Sequence, residues 1–491
     1  MERKSGILMP MSSLPSNYGI GTMGRCAYRF ADFLKASGQK YWQLLPLGPT
    51  SYGDSPYSSF STFAGNPYFI DLDMLVKEKL LKPKELEGLD WGRDPQKVDY
   101  GLLHEQRSPL LRIAFGRGRE KLGEALAAFR RENAWVETYA LYMALKARFD
   151  QLPWVEWPEE DIRLHRPEAV RRWSEELREE MDYHIFVQFL FFRQWEKLRA
   201  YAHKKGVKFI GDIPIYVALD SADVWSEPQF FQLDRDNVPK AVAGVPPDAF
   251  TADGQLWGNP LYDWDAMERD GFGWWIRRIE GAQKLYDVIR IDHFRGIESY
   301  WAVPYGETTA KNGEWRKGPG MKLVGVLTGW FHGLEFIAED LGYPTPEVAE
   351  LLKESKLPGM KVLEFAFNPN EPSDYLPHRY QENCVCYTGT HDNAPLMEWF
   401  EEGDPDELAL IPKSRRRKIL PTYEAAVPAS IASLPVEVSP SLMQRIAEVG
   451  ASPARFDQAQ ASRDWSLPAL LLRSESSSSS QIERLTSSVR N

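Results

Sequence analysis

Val288-Ile289-Arg290-Ile291-Asp292-His293-Phe294-Arg295-Gly296 alternates apolar residues with an Arg and an Asp two positions apart, then stops at a glycine. In a β-strand, residues i and i+2 point to the same face. Arg290 and Asp292 therefore share a face at the C-terminal end of the strand. A fixed cation beside a carboxylate holds it ionised at neutral pH, which is the state a carboxylate nucleophile needs. The same pair also fits a buried structural ion pair. The surrounding sequence decides between the two.

Upstream, Ile7-Leu8-Met9-Pro10 and Tyr41-Trp42-Gln43-Leu44-Leu45-Pro46-Leu47-Gly48 read as buried strands. Between them, residues 25–37 have a helical pattern that stops before Gly38. That order predicts a parallel βαβ unit. A third run, residues 207–217, carries Asp212 near its end, and a helical pattern over 274–286 leads into the quoted stretch. Downstream, residues 334–342 end in Glu339 and Asp340, and residues 359–365 form a sixth run. Residues 384–393 form a seventh, ending in Thr390-His391-Asp392-Asn393. Seven strand-like runs, most followed by a helical segment, predict an α/β fold of the (β/α)8 barrel type. Asp212, Asp292, Glu339 and Asp392 fall at strand C-termini, where the loops of such barrels converge on one face. Four acids so placed are hard to explain as packing, and they favour a catalytic role for Asp292.

Two insertions interrupt the barrel pattern. Residues 75–205 are rich in charged amphipathic segments and predict a helical insertion with solvated outer faces. Residues 218–264 combine Gly and Pro with aromatics, including Phe250 and Trp257, and predict a lid or cleft wall. The loop 49–68, with Ser55-Pro56-Tyr57-Ser58-Ser59 at its centre, follows the second strand, where binding groups collect. The formal net charge of −11 argues against nucleic acid as the main partner. No stretch reads as a signal peptide or a membrane span. The cysteines Cys26, Cys384 and Cys386 have no further ligand at metal spacing, so neither a zinc site nor any other metal is expected. The reading places the protein in a reducing cytoplasm.

Two carboxylates facing one site can break a glycosidic bond, one as nucleophile and the other as acid and then base. Asp292 suits the first role because of Arg290. Glu339 suits the second because the preceding Phe336-Ile337-Ala338 give an apolar setting that raises a carboxyl pKa. Asp392 beside His391 suits binding of sugar hydroxyls and stabilising a positive transition state. A strand-end charge pair is the alternative for Glu339 and Asp340.

At these residues the sequence closely resembles the 4-alpha-glucanotransferases (amylomaltases, or disproportionating enzymes) of glycoside hydrolase family 77, in the alpha-amylase clan. The motifs that carry the resemblance include Ser12-Ser13-Leu14-Pro15, Ser55-Pro56-Tyr57-Ser58-Ser59 and Gly211-Asp212-Ile213-Pro214. They continue with Leu256-Trp257-Gly258-Asn259-Pro260, Arg290-Ile291-Asp292-His293-Phe294-Arg295-Gly296, Ala338-Glu339-Asp340-Leu341-Gly342 and Gly389-Thr390-His391-Asp392-Asn393. The resemblance implies Asp292 as nucleophile, Glu339 as acid/base and Asp392 as third carboxylate. It implies Arg290, His391 and Asp212 as residues that orient the nucleophile or hold the sugar. Tyr57, Trp257 and Phe250 are implied to line or arch over the glucan cleft. The implied reaction moves an α-1,4-glucan segment onto the 4-hydroxyl of another glucan, a maltooligosaccharide or glucose, with retention and without a cofactor. An α-glucan hydrolase is the competing enzyme reading.

The resemblance runs from about residue 5 to about 410. Residues 411–491 hold three aromatics, one Gly and 16 Ser, five of them consecutive from Ser476. Such composition predicts a disordered or frame-shifted tail, with the eighth strand missing or replaced and with open edges on strands one and seven. An inactive or unstable product would follow. The competing reading is a genuine tail with a divergent eighth strand, for which residues 431–438 are the candidate.

Overall fold

The computed structural model describes residues 3–403, apart from 52, 95, 248–250, 343–344 and 368–373, together with 470–474. Eight parallel strands form its centre: β1 (Lys4–Leu8), β2 (Tyr41–Gln43), β3 (Lys208–Ile213), β4 (Val288–Ile291), β5 (Glu335–Ala338), β6 (Gly359–Val362), β7 (Cys384–Tyr387) and β8 (Leu470–Ser474). Their order is β6-β7-β8-β1-β2-β3-β4-β5. The Ala338 N–H donates to Pro358 O at 2.9 Å, bringing β5 to the start of β6 and completing the ring. The seven strands read from the sequence are all present, six of them shorter than read and β1 starting three residues earlier, at Lys4. The eighth place, expected to be missing or replaced, is filled by Leu470–Ser474, which pairs with β1 along its length and with Cys386 and Tyr387 of β7. The open edges expected on strands one and seven are therefore paired. Residues 431–438 lie outside the described residues.

The alternation of side chains explains the layering. Leu8, Tyr41, Ile210, Val288, Ile337, Met360, Val385 and Tyr387 meet in one cluster inside the barrel. Their neighbours Trp42, Phe209, Ile289 and Phe336 point outward into the core beneath the helices. Across the interior, the Tyr387 hydroxyl donates to Gln43 Oε1 at 2.9 Å. The β3–β4 register sets Asp212 opposite Arg290. A one-residue slip would turn both away from the interior.

Between β2 and β3 lie long helices, among them Tyr100–Gly118, Trp135–Arg148 and Arg178–Lys204. The last of these clamps the β2 loop. Gln188 accepts from Gly65 N–H at 2.8 Å and donates to Gly65 O at 2.9 Å. Six residues on, Gln194 accepts from Asp71 N–H at 2.7 Å and donates to Asp71 O at 3.1 Å. Both glutamines are fully buried. Each presents an amide that satisfies a backbone N–H and C=O pair that would otherwise be orphaned.

The insertion after β3, expected as a loop forming a lid or cleft wall, is partly sheet. Ala241–Val245 and Gln255–Pro260 pair antiparallel, and the sheet continues through Ser299–Pro304 and Glu314–Lys317, which follow β4. Val242 buries against Val303 and Trp301, while Ala241 and Ala243 on the opposite face join the main core. Gly and Pro density alone therefore read as loop what is partly sheet.

Gly65 packs face-on against Phe191 of the clamping helix, so an added Cβ would overlap the ring. Gly65→Ala should lower unfolding stability by about 1–3 kcal/mol, the usual cost of overpacking. A lower guanidinium midpoint with an unchanged slope would show this, and an unchanged midpoint would refute the close-packing argument.

Candidate active site

The site is built on the strand ends of β3, β4, β5 and β7. Arg290 Nη1 donates to Asp212 Oδ1 at 2.6 Å and to Asp292 Oδ1 at 2.9 Å. Its Nε lies 3.2 Å from Met360 Sδ. The side chains of Arg290 and Asp212 are 3% and 0% exposed, whereas that of Asp292 is 29% exposed. One sealed cation thus serves two aspartates, and Asp292 is the one that opens to solvent. The face shared by Arg290 and Asp292 is as the two-residue spacing predicts.

The second oxygen of Asp212 accepts from the Tyr57 hydroxyl at 2.8 Å. Tyr57 Oη is also 2.6 Å from His391 Nε2, and the two rings stack at 5.6 Å. The Tyr57 proton goes to the carboxylate, which only accepts, so His391 Nε2–H must be the donor to Tyr57. Burial and the Asp212 charge push the Tyr57 phenol well above its ordinary pKa, so it stays a donor. His391 Nε2 is also 3.2 Å from Asp392 Oδ1. Asp392 itself is exposed at the mouth. A chain of contacts therefore runs Arg290–Asp212–Tyr57–His391–Asp392 and joins β4, β3, the β2 loop and the loop after β7.

Glu339 sits one residue past β5. Its backbone N–H donates to Ile291 O at 3.0 Å, and its backbone O accepts from Phe294 N–H at 2.9 Å. Its Oε2 accepts from His293 N–H at 2.8 Å and its Oε1 from Leu341 N–H at 2.7 Å. His293 adopts the left-handed conformation, φ 49°, which turns the chain directly after Asp292 around the Glu339 carboxyl. Burial raises both acids, Asp292 to about 7 and Glu339 to about 8. For Asp292, Arg290 opposes the rise through direct contact. For Glu339, the Asp292 charge adds to it, while Arg290 and the Leu341 N–H oppose it more weakly than burial raises it. The first proton to leave the pair therefore comes from Asp292. Asp340 is tied elsewhere, accepting from Met360 N–H at 2.6 Å.

Trp257 stands at the end of the antiparallel insertion, 38% exposed. Its ring meets His293 edge-on at 4.8 Å and tilts against Tyr216 at 6.3 Å. It forms a wall beside the turn that follows Asp292. Phe250 lies outside the described residues. The structure thus gathers Tyr57, Asp212, Arg290, Asp292, Glu339, His391 and Asp392, with Trp257 at their edge. Sequence reading missed His293, Gln188 and Arg278. His293 lay inside the quoted stretch, but nothing in its type announces a left-handed turn. Arg278 donates to Thr62 Oγ1 and Ile215 O, both at 2.9 Å, and holds the β2 loop to the end of β3. Among the described residues no group of three or more His, Cys, Asp or Glu side chains is arranged to hold a metal. No described helix is long and apolar enough to cross a membrane.

Fold and site together define a parallel (β/α)8 barrel enzyme with acidic residues converging on the C-terminal mouth, in the alpha-amylase manner. The profile described as 4-alpha-glucanotransferase matches residues 9–471, past the point where motif resemblance fades. A 4-alpha-glucanotransferase of Clostridium butyricum is 52% identical over 395 residues, covering 80% of this chain and 81% of that one. One from Streptococcus pneumoniae is 48% identical over 442 residues, covering 89% and 87%. Among solved structures, an amylomaltase from Streptococcus agalactiae in complex with acarbose superposes with a TM-score of 0.84 at 39% identity, covering 96% of this chain and 90% of that one. The chain belongs to the 4-alpha-glucanotransferase family.

The two raised carboxyls give a signed pH dependence. With Asp292 as nucleophile and Glu339 as acid, the roles proposed below, activity needs Asp292 ionised and Glu339 protonated. The value of kcat/KM should therefore fall as pH drops below about 7 and again as it rises above about 8. These limbs belong to the coupled pair. Arg290→Met should move the acid limb upward, because Asp292 loses its contacting cation. An unmoved limb would show that Arg290 does not set Asp292. Glu339 folds with its pKa raised from about 4.3, so wild-type stability from this group is lost as pH rises towards about 8. Glu339→Gln mimics the protonated form. Its thermal midpoint should exceed that of wild type by a margin that grows between pH 5 and 8, and a margin independent of pH would contradict the shift.

Proposed function

We propose that this chain carries out glucan transfer by double displacement, with Asp292 as nucleophile, Glu339 as acid/base and Asp392 as stabiliser. In the first half, Asp292 Oδ attacks the anomeric carbon of the donor. The C1–O4 bond breaks, and Glu339 gives its proton to the departing O4. The product is a glycosyl-aspartate. In the second half, the 4-hydroxyl of an acceptor attacks C1, its proton passes to Glu339, and the C1–Oδ bond breaks. Two inversions leave the α configuration unchanged. Arg290 opposes the burial that raises Asp292 to about 7, so Asp292 is not fully ionised at neutral pH as the sequence alone suggested, but it loses its proton ahead of Glu339. Tyr57 and His391 set the floor of the cleavage site through Asp212.

The observation that carries this reading is the single Arg290 Nη1 shared by a sealed Asp212 and an open Asp292. A structural ion pair needs no open member. The substrates on this reading are α-1,4-glucans and maltooligosaccharides, with glucose as the smallest acceptor. Acarbose in the related amylomaltase supports that class. Transfer outpaces hydrolysis where a wall keeps water from the intermediate, and Trp257 beside the His293 turn fits such a wall. The acidic chain and its free thiols suit a cytoplasmic setting.

Incubation with maltotriose tests the whole reading. The expected products are glucose and chains longer than maltotriose, with the number of reducing ends constant. Asp292→Asn should remove turnover. Glu339→Gln should lower it by roughly 10²–10⁴-fold, the usual worth of general acid–base catalysis. A new reducing end for every bond cut, or full turnover by Asp292→Asn, would reject the proposal.

A further inference from the structure

Strand β7 carries two thiols that the glucan chemistry does not use. Val385 and Tyr387 point into the barrel, so Cys384 and Cys386 share the outward face. Their Sγ atoms are 3.7 Å apart. Both residues are 5% exposed. In the β6–β7 register Cys384 lies beside Gly359, which contributes no side chain, and Cys386 lies beside Lys361. Cys384 Sγ also donates to Gln381 O at 3.1 Å. Two sulfurs already near contact, on one strand face and next to an ammonium group, form a preorganised dithiol.

We propose that Cys384 and Cys386 are a modification site, a dithiol that peroxides convert reversibly to an intrachain disulfide and that thereby lowers glucan transfer. Cys384 is the attacking sulfur. Its thiolate gives up the S–H contact with Gln381 O. It is favoured by the contact with Cys386 and by the Lys361 charge against the opposing effect of burial, while Cys386 is held as a thiol by its neighbour and by burial. The Cys384 thiolate attacks one oxygen of hydrogen peroxide. The O–O bond breaks, and hydroxide leaves and is protonated to water. The resulting Cys384 sulfenic acid is attacked by Cys386 sulfur. An S–S bond forms, the S–O bond breaks, and the second oxygen leaves as water with the Cys386 proton. Two electrons pass from the sulfurs to the peroxide, and two waters are formed. A thiol reductant reverses the change.

The consequence for activity follows from position. A disulfide needs its sulfurs about 2.05 Å apart, so the two side chains must close from 3.7 Å on the outward face of β7, pulling on the strand across Val385. That strand is bonded to β6 and β8 and runs within a few residues into Thr390, His391 and Asp392. Disulfides in a reducing cytoplasm are characteristically transient and regulatory, which suits a site that responds to peroxide and recovers.

The activity arm rests on the function proposed above, whereas the mass arm does not. Wild-type protein treated with hydrogen peroxide should lose two hydrogen masses, and its titratable thiols should fall from three to one. Peptide mapping should locate the link at Cys384–Cys386. Maltotriose turnover should drop by about tenfold or more, since misplacing catalytic groups by an ångström costs up to about a hundredfold. Dithiothreitol should restore mass and turnover together. Cys386→Ser should instead leave a Cys384 sulfenic acid that dimedone traps. Cys26→Ser should behave as wild type. If the variants fail to fold, the wild-type mass and thiol count still decide. Retention of three thiols, or separate over-oxidation of each sulfur, would overturn the site. A disulfide formed without loss of turnover would overturn its control of the reaction. Protein inactive before oxidation that still forms the link would count against the proposed function and leave the disulfide site established.

Discussion

The structure depends on one buried guanidinium. Arg290 cannot shed its proton in a protein interior, so the barrel must supply anions for it. It supplies two, and both fall on the same Nη1. Arg290 and two aspartates together carry an excess negative charge, which a sealed interior would not tolerate. The excess is tolerable because Asp292 reaches the cleft while Asp212 does not. Asp212 finds its second donor in Tyr57, and Tyr57 in turn takes a proton-sharing contact from His391. Each further polar residue at the barrel mouth can be read as an answer to a demand made by the one before it.

That chain runs through loops, and loops are ordinarily mobile. Here the β2 loop is fastened at several points before Tyr57 reaches the site. Gln188 and Gln194 grip its backbone from one helix. Arg278 grips it at Thr62 from another, and Asp223 accepts from Thr62 N–H at 2.9 Å. Gly211 does related work from the strand side. An added Cβ there would overlap the Tyr286 ring, and Tyr286 in turn receives the Leu47 N–H at 3.2 Å. Close packing behind Asp212 therefore fixes both the strand and the loop that faces it. The catalytic groups are precise because the residues behind them have nowhere to move.

Much of this was legible in the sequence. Short apolar runs placed β1 to β7, and the acids at the ends of four of them placed the site, because barrel strands buried on both faces hold charged residues mainly at their ends. Boundaries were read too long. Residues such as Asp292, Glu339 and Asp392 leave the ladder in order to face the mouth, yet they look continuous with the strand. The antiparallel sheet around Ala241–Val245 looks like loop in the sequence because one of its two pairing partners, Ser299–Pro304, lies beyond β4 and no turn signal links them. β8 was not legible either. Leu470-Leu471-Leu472 lies between a proline and a serine-rich run, and nothing local marks it as the strand that joins β7 to β1. The glutamine clamps were silent for a different reason. A buried Gln is recognisable only when the backbone it satisfies is known.

The two raised carboxyls explain why the roles proposed for Asp292 and Glu339 cannot be exchanged. Glu339 is buried and Asp292 partly so, and a mouth with this much negative charge holds one proton between them near neutrality. Asp292 touches a cation, so the proton is expelled from it first. Glu339 touches two backbone N–H groups, from His293 and Leu341, which orient both of its oxygens without supplying a full charge. Orientation by backbone dipoles with the proton retained is what an acid needs. Full neutralisation by a guanidinium is what a nucleophile needs. When Asp292 bonds to a sugar its negative charge disappears. The main opposing charge on Glu339 is then gone, and its pKa falls in the half of the reaction where it must act as a base. One interaction, between Arg290 and Asp292, therefore sets the starting protonation of both acids, and forming the covalent bond reverses it without any further group having to move.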